Sequence, residues 1–195
     1  MNLPNKLTVS RLILTAFFLA ALFIDFPFHF TVALVLFVAA SLTDLFDGII
    51  ARRRNLITDF GKLMDPLADK VLICSAFIAF IELEWMAAWM VILIVARELA
   101  ITGLRLLAAS KNLVLDAERQ GKNKTISQIT AIIALLVTNS HADWPIVGQL
   151  FAYPIAGYAW AWWVAQLSVW VAVVLTALSG FLYLWKNRDV YLNDC

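Results

Sequence analysis

From about residue 7 onward the chain alternates long apolar runs with short polar breaks, and most runs match the roughly 20 residues a helix needs to cross a bilayer. The pattern predicts six such helices, at about 7–25, 30–52, 64–81, 85–108, 125–140 and 163–185. The fifth is short, and the third opens on Asp65, Asp69 and Lys70. Polar connections are expected at 53–62, 82–84, 109–124 and 139–162. No repeat, low-complexity tract or second composition class interrupts the series. The expectation is one all-α membrane domain covering 1–195.

Composition strengthens this reading. Of 195 residues, 63% are hydrophobic and 15% charged, with a mean hydropathy of +0.83, too apolar for ordinary soluble packing. Cys74 lies in an apolar run and Cys195 at the last position, a pair that argues for neither a disulfide framework nor redox chemistry. Residues 12–24, behind Lys6 and Arg11, have the outline of a signal peptide. No small-residue cleavage site follows, and the chain soon re-enters an apolar run.

Charge then sets orientation. Lys6, the group Arg52, Arg53, Arg54 and Lys62, the group Lys111, Arg119, Lys122 and Lys124, and the pair Lys186 and Arg188 all fall on one side of a six-helix plan. The opposite connections, 26–29, 82–84 and 139–162, hold no Lys or Arg. Basic loops favour the cytoplasm, so both termini are expected there, in a cell membrane. The tryptophans and tyrosines from Trp144 to Trp163 suit an interfacial belt on the outer side, acting as anchors without chemistry. No nucleic-acid partner is expected.

The stretch DLFDGIIAR, residues 44–52, brings two carboxylates to the cytoplasmic end of the second helix. Asp44, Asp47, Gly48 and Ala51 stand at i, i+3, i+4 and i+7, one helical stripe of two acids and two small residues. After the loop, Gly61 precedes Asp65 and Asp69, an i, i+4 pair opening the third helix. Four acids can therefore converge from two antiparallel neighbours. Left uncompensated they would take up protons or recruit cations. An all-oxygen set suits Mg²⁺ or Mn²⁺ rather than zinc, because His29 and His141 both lie on the outer side. Paired ions would clamp phosphoryl oxygens. Taken singly, each residue has a plainer role: Asp65 before Pro66 as an N-cap with proline at the first helical position, Asp44 or Asp47 in a proton or ion pathway, Gly48, Ala51 and Gly61 in close helix packing. Those roles leave the joint spacing unexplained.

The spacing D-x2-D-G-x2-A-R-x8-G-x3-D-x3-D, running from Asp44 to Asp69, resembles throughout the signature of the CDP-alcohol phosphotransferase family. Its members are integral membrane enzymes that join a CDP-activated alcohol to an acceptor alcohol. NLPNKLTVSR near the start, DPLADK at 65–70, ARELAITGLR at 96–105 and GKNKT at 121–125 look like the bacterial members that make phosphatidylglycerol phosphate. The likeness covers most of the chain through the fifth helix. It implies that Asp44, Asp47 and Asp65 ligate two divalent ions, and that Asp69 is the general base with contact to metal. It also implies that Gly48, Ala51 and Gly61 leave room for the cytidine nucleotide, with Arg52 near its phosphates. The implied reaction is transfer of the phosphatidyl group of CDP-diacylglycerol with release of CMP, in a homodimer.

A second set of charges bears on the acceptor. Arg97, near the middle of the fourth helix, is costly in a membrane, and Arg105 lies about two turns nearer the cytoplasm on the same face. Lys122 and Lys124 begin the fifth helix on that side, so four cations could surround an anionic acceptor. The plainer alternatives are an ion pair of Arg97 with Glu98 or a signature aspartate, and ordinary flanking charge for the lysines. Glycerol 3-phosphate fits the cluster and the resemblance alike; inositol phosphate is the alternative within the family. For Arg11 the expectation is snorkelling to the interface, with a turn into the site as the alternative. A cation or proton transporter would use the same acids but gives no reason for the glycine spacing or the ARE and GKNKT segments. A structural membrane subunit would need neither.

Overall fold

The computed structural model describes the backbone of residues 3–54, 59–110 and 119–188, and the side chains of 9–43, 70–109 and 123–188. Among the described residues six helices exceed 20 residues: α1 (Leu3–Phe23), α2 (His29–Arg54), α3 (Asp59–Glu82), α4 (Ala88–Ser110), α5 (Arg119–Ser140) and α7 (Trp160–Lys186). The short α6 (Val147–Phe151) lies between α5 and α7. Each apolar run of the sequence is thus a helix, but several helices run past their apolar cores into polar sequence. The largest extensions are at the starts of α3 and α5, five to six residues earlier than the hydropathy pattern predicts. Charged residues such as Lys62, Arg119 and Lys122 are adequate helix formers, so a helix need not stop where hydrophobicity does.

The early start of α3 corrects one expectation. Asp65 is not an N-cap, because α3 begins at Asp59 and carries Pro66 in its interior. A proline there donates no amide hydrogen to the carbonyl four residues back.

Helix α1 packs on α2 and α3, α2 also on α5, and α7 on α5 and α4. Phe18, Phe37, Phe77, Phe80, Ile94, Ile132 and Leu136 fill the centre. On α7 the sizes are sorted by side. Ala161, Ala165, Val169, Ala172, Thr176 and Gly180 are buried at helical spacing, whereas Trp163, Leu167, Trp170, Phe181 and Trp185 are exposed. Small inward residues let the helix backbones approach closely. Thr138 Oγ1 accordingly reaches the Ala161 carbonyl at 3.1 Å, tying α5 to α7.

One end of the bundle gathers the turn before α2, the α3–α4 turn and the segment after α5. Phe30 and Trp85 rings lie 5.1 Å apart, and Trp144 Nε1 donates to Thr31 Oγ1 at 3.1 Å. The connection 139–162 is more structured than its sequence suggested and departs slightly from an all-α fold. After a 3-10 turn (His141–Asp143) and α6, two-residue strands Pro154–Ile155 and Tyr158–Ala159 pair antiparallel. Ala156 and Gly157 both have positive φ, 50° and 87°, as a tight two-residue hairpin turn requires.

Candidate active site

Asp44, Asp47, Gly48, Ala51 and Arg52 all lie on the last three turns of α2, and Gly61, Asp65 and Asp69 on the first three turns of α3. The chain from Arg54 to Asp59 can span at most about 18 Å, so these helix ends are neighbours. The side chains of the four aspartates, of Arg52 and Ala51, and of Lys122 lie outside the described residues, as do the surroundings of Gly48 and Gly61. The donor chemistry can still be judged. Both histidines belong to the opposite end of the bundle, where His29 Nδ1 is 3.2 Å from the Ala21 carbonyl and His141 Nδ1 is 2.7 Å from that of Thr138. The signature therefore offers carboxylates without imidazole, a set that fits a hard divalent cation.

Directly after Asp69 on α3 comes Lys70, and its ammonium opens a cluster of charge. Glu98 on α4 is its centre, only 4% exposed. Lys70 Nζ lies 3.6 Å from Glu98 Oε2 and Arg97 Nη1 lies 3.4 Å from Oε1, while Lys124 Nζ on α5 is bonded to Oε1. Gln128, fully buried one turn along α5, donates through Nε2 to Glu98 Oε1 at 3.5 Å and to Thr176 Oγ1 of α7 at 3.1 Å. A buried carboxylate is tolerated only when paired, and here three cations from three helices surround it.

The two arginines lean on α7. Arg97 Nη2 donates to Ser179 Oγ at 3.2 Å. Arg105 Nε donates to Tyr183 Oη at 3.3 Å, with its guanidinium carbon 5.5 Å from that ring's centroid. Ser179 and Tyr183 are one turn apart, which confirms that Arg97 and Arg105 share a face of α4. Arg97 crosses directly over Gly180, where a Cβ would fall 2.6 Å from Arg97 Cγ.

Arg97 and Lys124, expected on the same side, meet at Glu98, and Arg105 stands with Arg97 along α7. The ion pair of Arg97 with Glu98 is present as well. What the sequence did not expose is that Glu98 also holds Lys70 and Lys124, or that Gln128, Ser179 and Tyr183 position the cations. The available signal was the unbroken run of Arg97 and Glu98 inside an apolar helix. Arg11 corrects another expectation: it is 2% exposed, turned into the bundle rather than snorkelling outward.

Comparison with known proteins bears on what such an arrangement does. A family model described as CDP-alcohol phosphatidyltransferase matches residues 1–178. A Bacillus subtilis protein named "CDP-diacylglycerol--glycerol-3-phosphate 3-phosphatidyltransferase" is 39% identical over 200 residues, covering 96% of this chain and 96% of its own length. A Rickettsia felis protein of the same name is 34% identical, covering 93% of each chain. A "probable phosphatidylglycerophosphate synthase" of Mycobacterium tuberculosis is 37% identical over 97% of this chain and 83% of its own. These matches run through both the acidic helix ends and the basic cluster, and the chain belongs to the CDP-alcohol phosphatidyltransferase family.

Proposed function

We propose that the protein transfers the phosphatidyl group of CDP-diacylglycerol to glycerol 3-phosphate, giving phosphatidylglycerol phosphate and CMP. The observation that carries this reading is the juxtaposition of the acidic helix ends with a cationic cluster on α3, α4 and α5, among relatives named for this transfer over nearly their full length. An uncharged acceptor would have no use for the surplus positive charge. A phosphorylated one is held by it, with arginine offering a paired donor face and lysine a point charge.

The residues divide the work. Asp44, Asp47 and Asp65, with Asp69, are the ligands for divalent metal, Mg²⁺ or Mn²⁺, as two ions. The metal, when bound, offsets the diphosphate charge and makes CMP a better leaving group. Gly48, Ala51 and Gly61 leave space for the cytidine nucleotide, and Arg52 lies near its phosphates. Arg97, Arg105, Lys122 and Lys124 hold the acceptor's phosphate. Asp69 takes the proton of the acceptor hydroxyl as its oxygen bonds to the lipid-side phosphorus. The bond from that phosphorus to the bridging oxygen breaks, and CMP leaves with the bonding pair.

Membrane placement follows from the same features. Helix α7, at 27 residues, is long and apolar enough to cross a bilayer. Each of the six long helices carries exposed large apolar side chains, including Phe17, Val35, Ile78, Ile92, Ile126 and Leu167, which suits burial in lipid. All six are spans in this reading, with both termini and the active site on the cytoplasmic side, where the acyl tails stay in the bilayer and the polar head reaches water-borne acceptor. The chain works as a homodimer.

The test is CMP release by purified protein with CDP-diacylglycerol and Mg²⁺, comparing glycerol 3-phosphate, inositol phosphate, serine and no acceptor. Release with glycerol 3-phosphate alone is expected. Release with another acceptor would overturn the acceptor reading, and none with any would overturn phosphatidyl transfer in favour of ion transport by the same acids.

A further inference from the structure

We propose that Glu98 is a positioning residue that fixes the geometry of the acceptor-phosphate site, a role that rests on the assignment of Arg97 and Lys124 to that site. Glu98 is buried and joins three helices through three cations: Lys70 on α3, its neighbour Arg97 on α4 and Lys124 on α5. Like charges packed this closely repel, and long basic side chains free to move would splay toward water. One carboxylate offsets one of the three charges and leaves the cluster cationic. It therefore orders the site without cancelling its attraction for an anion. Gln128 Nε2 donates to Glu98 Oε1, the oxygen that also receives Lys124 and Arg97, and to Thr176 Oγ1 on α7, so the centre has little freedom to follow a moving lysine.

Glu98 touches no reacting atom in this scheme, and its effect passes through Lys124 and Arg97. The Michaelis constant for the acceptor is what it sets; the constant for CDP-diacylglycerol is not. Steady-state CMP release by the purified full-length protein separates the two. Glu98→Gln keeps the size and removes the charge. It should raise KM for glycerol 3-phosphate about tenfold, the order expected when hydrogen bonds to a charged group are lost, and leave KM for CDP-diacylglycerol within about twofold. Glu98→Asp keeps the charge on a shorter arm and should show the same split at smaller size, which secures the reading if the Gln variant does not fold. In a double-variant cycle, Glu98→Gln combined with Lys124→Met should raise acceptor KM by clearly less than the product of the two single effects, since the share passing through Lys124 is already lost and only that through Arg97 remains. An acceptor KM that stays constant or falls in both Glu98 variants, an equal rise in both Michaelis constants, or full multiplication of the two single effects would overturn the role. A wild-type protein that releases no CMP with glycerol 3-phosphate would overturn the reaction itself, and this role with it.

Discussion

Replacing Gly180 by alanine puts one methyl group where Arg97 crosses α7. The added Cβ would sit 2.6 Å from Arg97 Cγ, 3.6 Å from its Cβ and 3.7 Å from its Nε. The first distance is far inside van der Waals contact, so either α4 and α7 separate or Arg97 leaves its course. Overpacking of this kind costs about 1–3 kcal/mol, while alanine in place of glycine returns about 1 kcal/mol in helix propensity. The net change in stability should therefore be small, a loss of no more than about 2 kcal/mol. The functional effect is larger. A displaced Arg97 leaves its place on Ser179 and with it the acceptor phosphate, to which one charge-assisted hydrogen bond contributes about 1.5–3 kcal/mol. At about 1.4 kcal/mol per decade, KM for glycerol 3-phosphate should rise tenfold or more, with KM for CDP-diacylglycerol nearly constant. Steady-state CMP release gives the constants, and thermal unfolding in detergent gives the stability. In an Arg97→Ala background the clash is gone, so alanine at 180 should raise Tm by roughly 2–4 °C. A Gly180→Ala protein with a wild-type acceptor constant, or an equal loss of Tm in both backgrounds, would refute the idea that glycine is there for Arg97.

Three further outcomes are expected. Asp69→Asn should abolish turnover while largely keeping affinity for CDP in the presence of Mg²⁺, held by the other three aspartates and measured by calorimetry; robust turnover would remove Asp69 as the base. Tyr183→Phe takes away the oxygen that receives Arg105 Nε, and should raise acceptor KM by about two- to fivefold at constant kcat, whereas an unchanged KM would show that Tyr183 does not anchor Arg105. Gly148→Ala forces a Cβ to 2.1 Å from the His141 carbonyl oxygen, so the connection must shift. Tm should drop by several degrees with kcat near wild type, because the change is at the other end of the bundle; an unaltered Tm would contradict the packing of α6 on the 3-10 turn.

How much of this was legible in the sequence depends on whether the signal is local. The long helices were, because each is built on an extended apolar run. Their ends were not, since hydropathy falls before helix propensity does, as at Arg119 and Asp59. The hairpin at 154–159 escaped notice because Ala156 occupies a turn position where Asn or Asp would have flagged it. Asp44 to Asp69 announce themselves through spacing alone. Glu98 does not, because its meaning comes from which helices pack around α4. A lone acid beside Arg97 reads as a local ion pair until Lys70 and Lys124 arrive from α3 and α5. Arg11 shows the converse failure: its place near the start of an apolar helix suggested the interface, whereas the packing of α1 on α2 and α3 turns it inward.

By the function proposed above, the phosphatidyl group ends on glycerol 3-phosphate. The most direct measurement incubates the purified protein with CDP-diacylglycerol, Mg²⁺ and isotopically labelled glycerol 3-phosphate, then follows the label into the organic phase and takes the product's mass. Labelled phosphatidylglycerol phosphate should form one for one with CMP. CMP released while the label stays in water would contradict it.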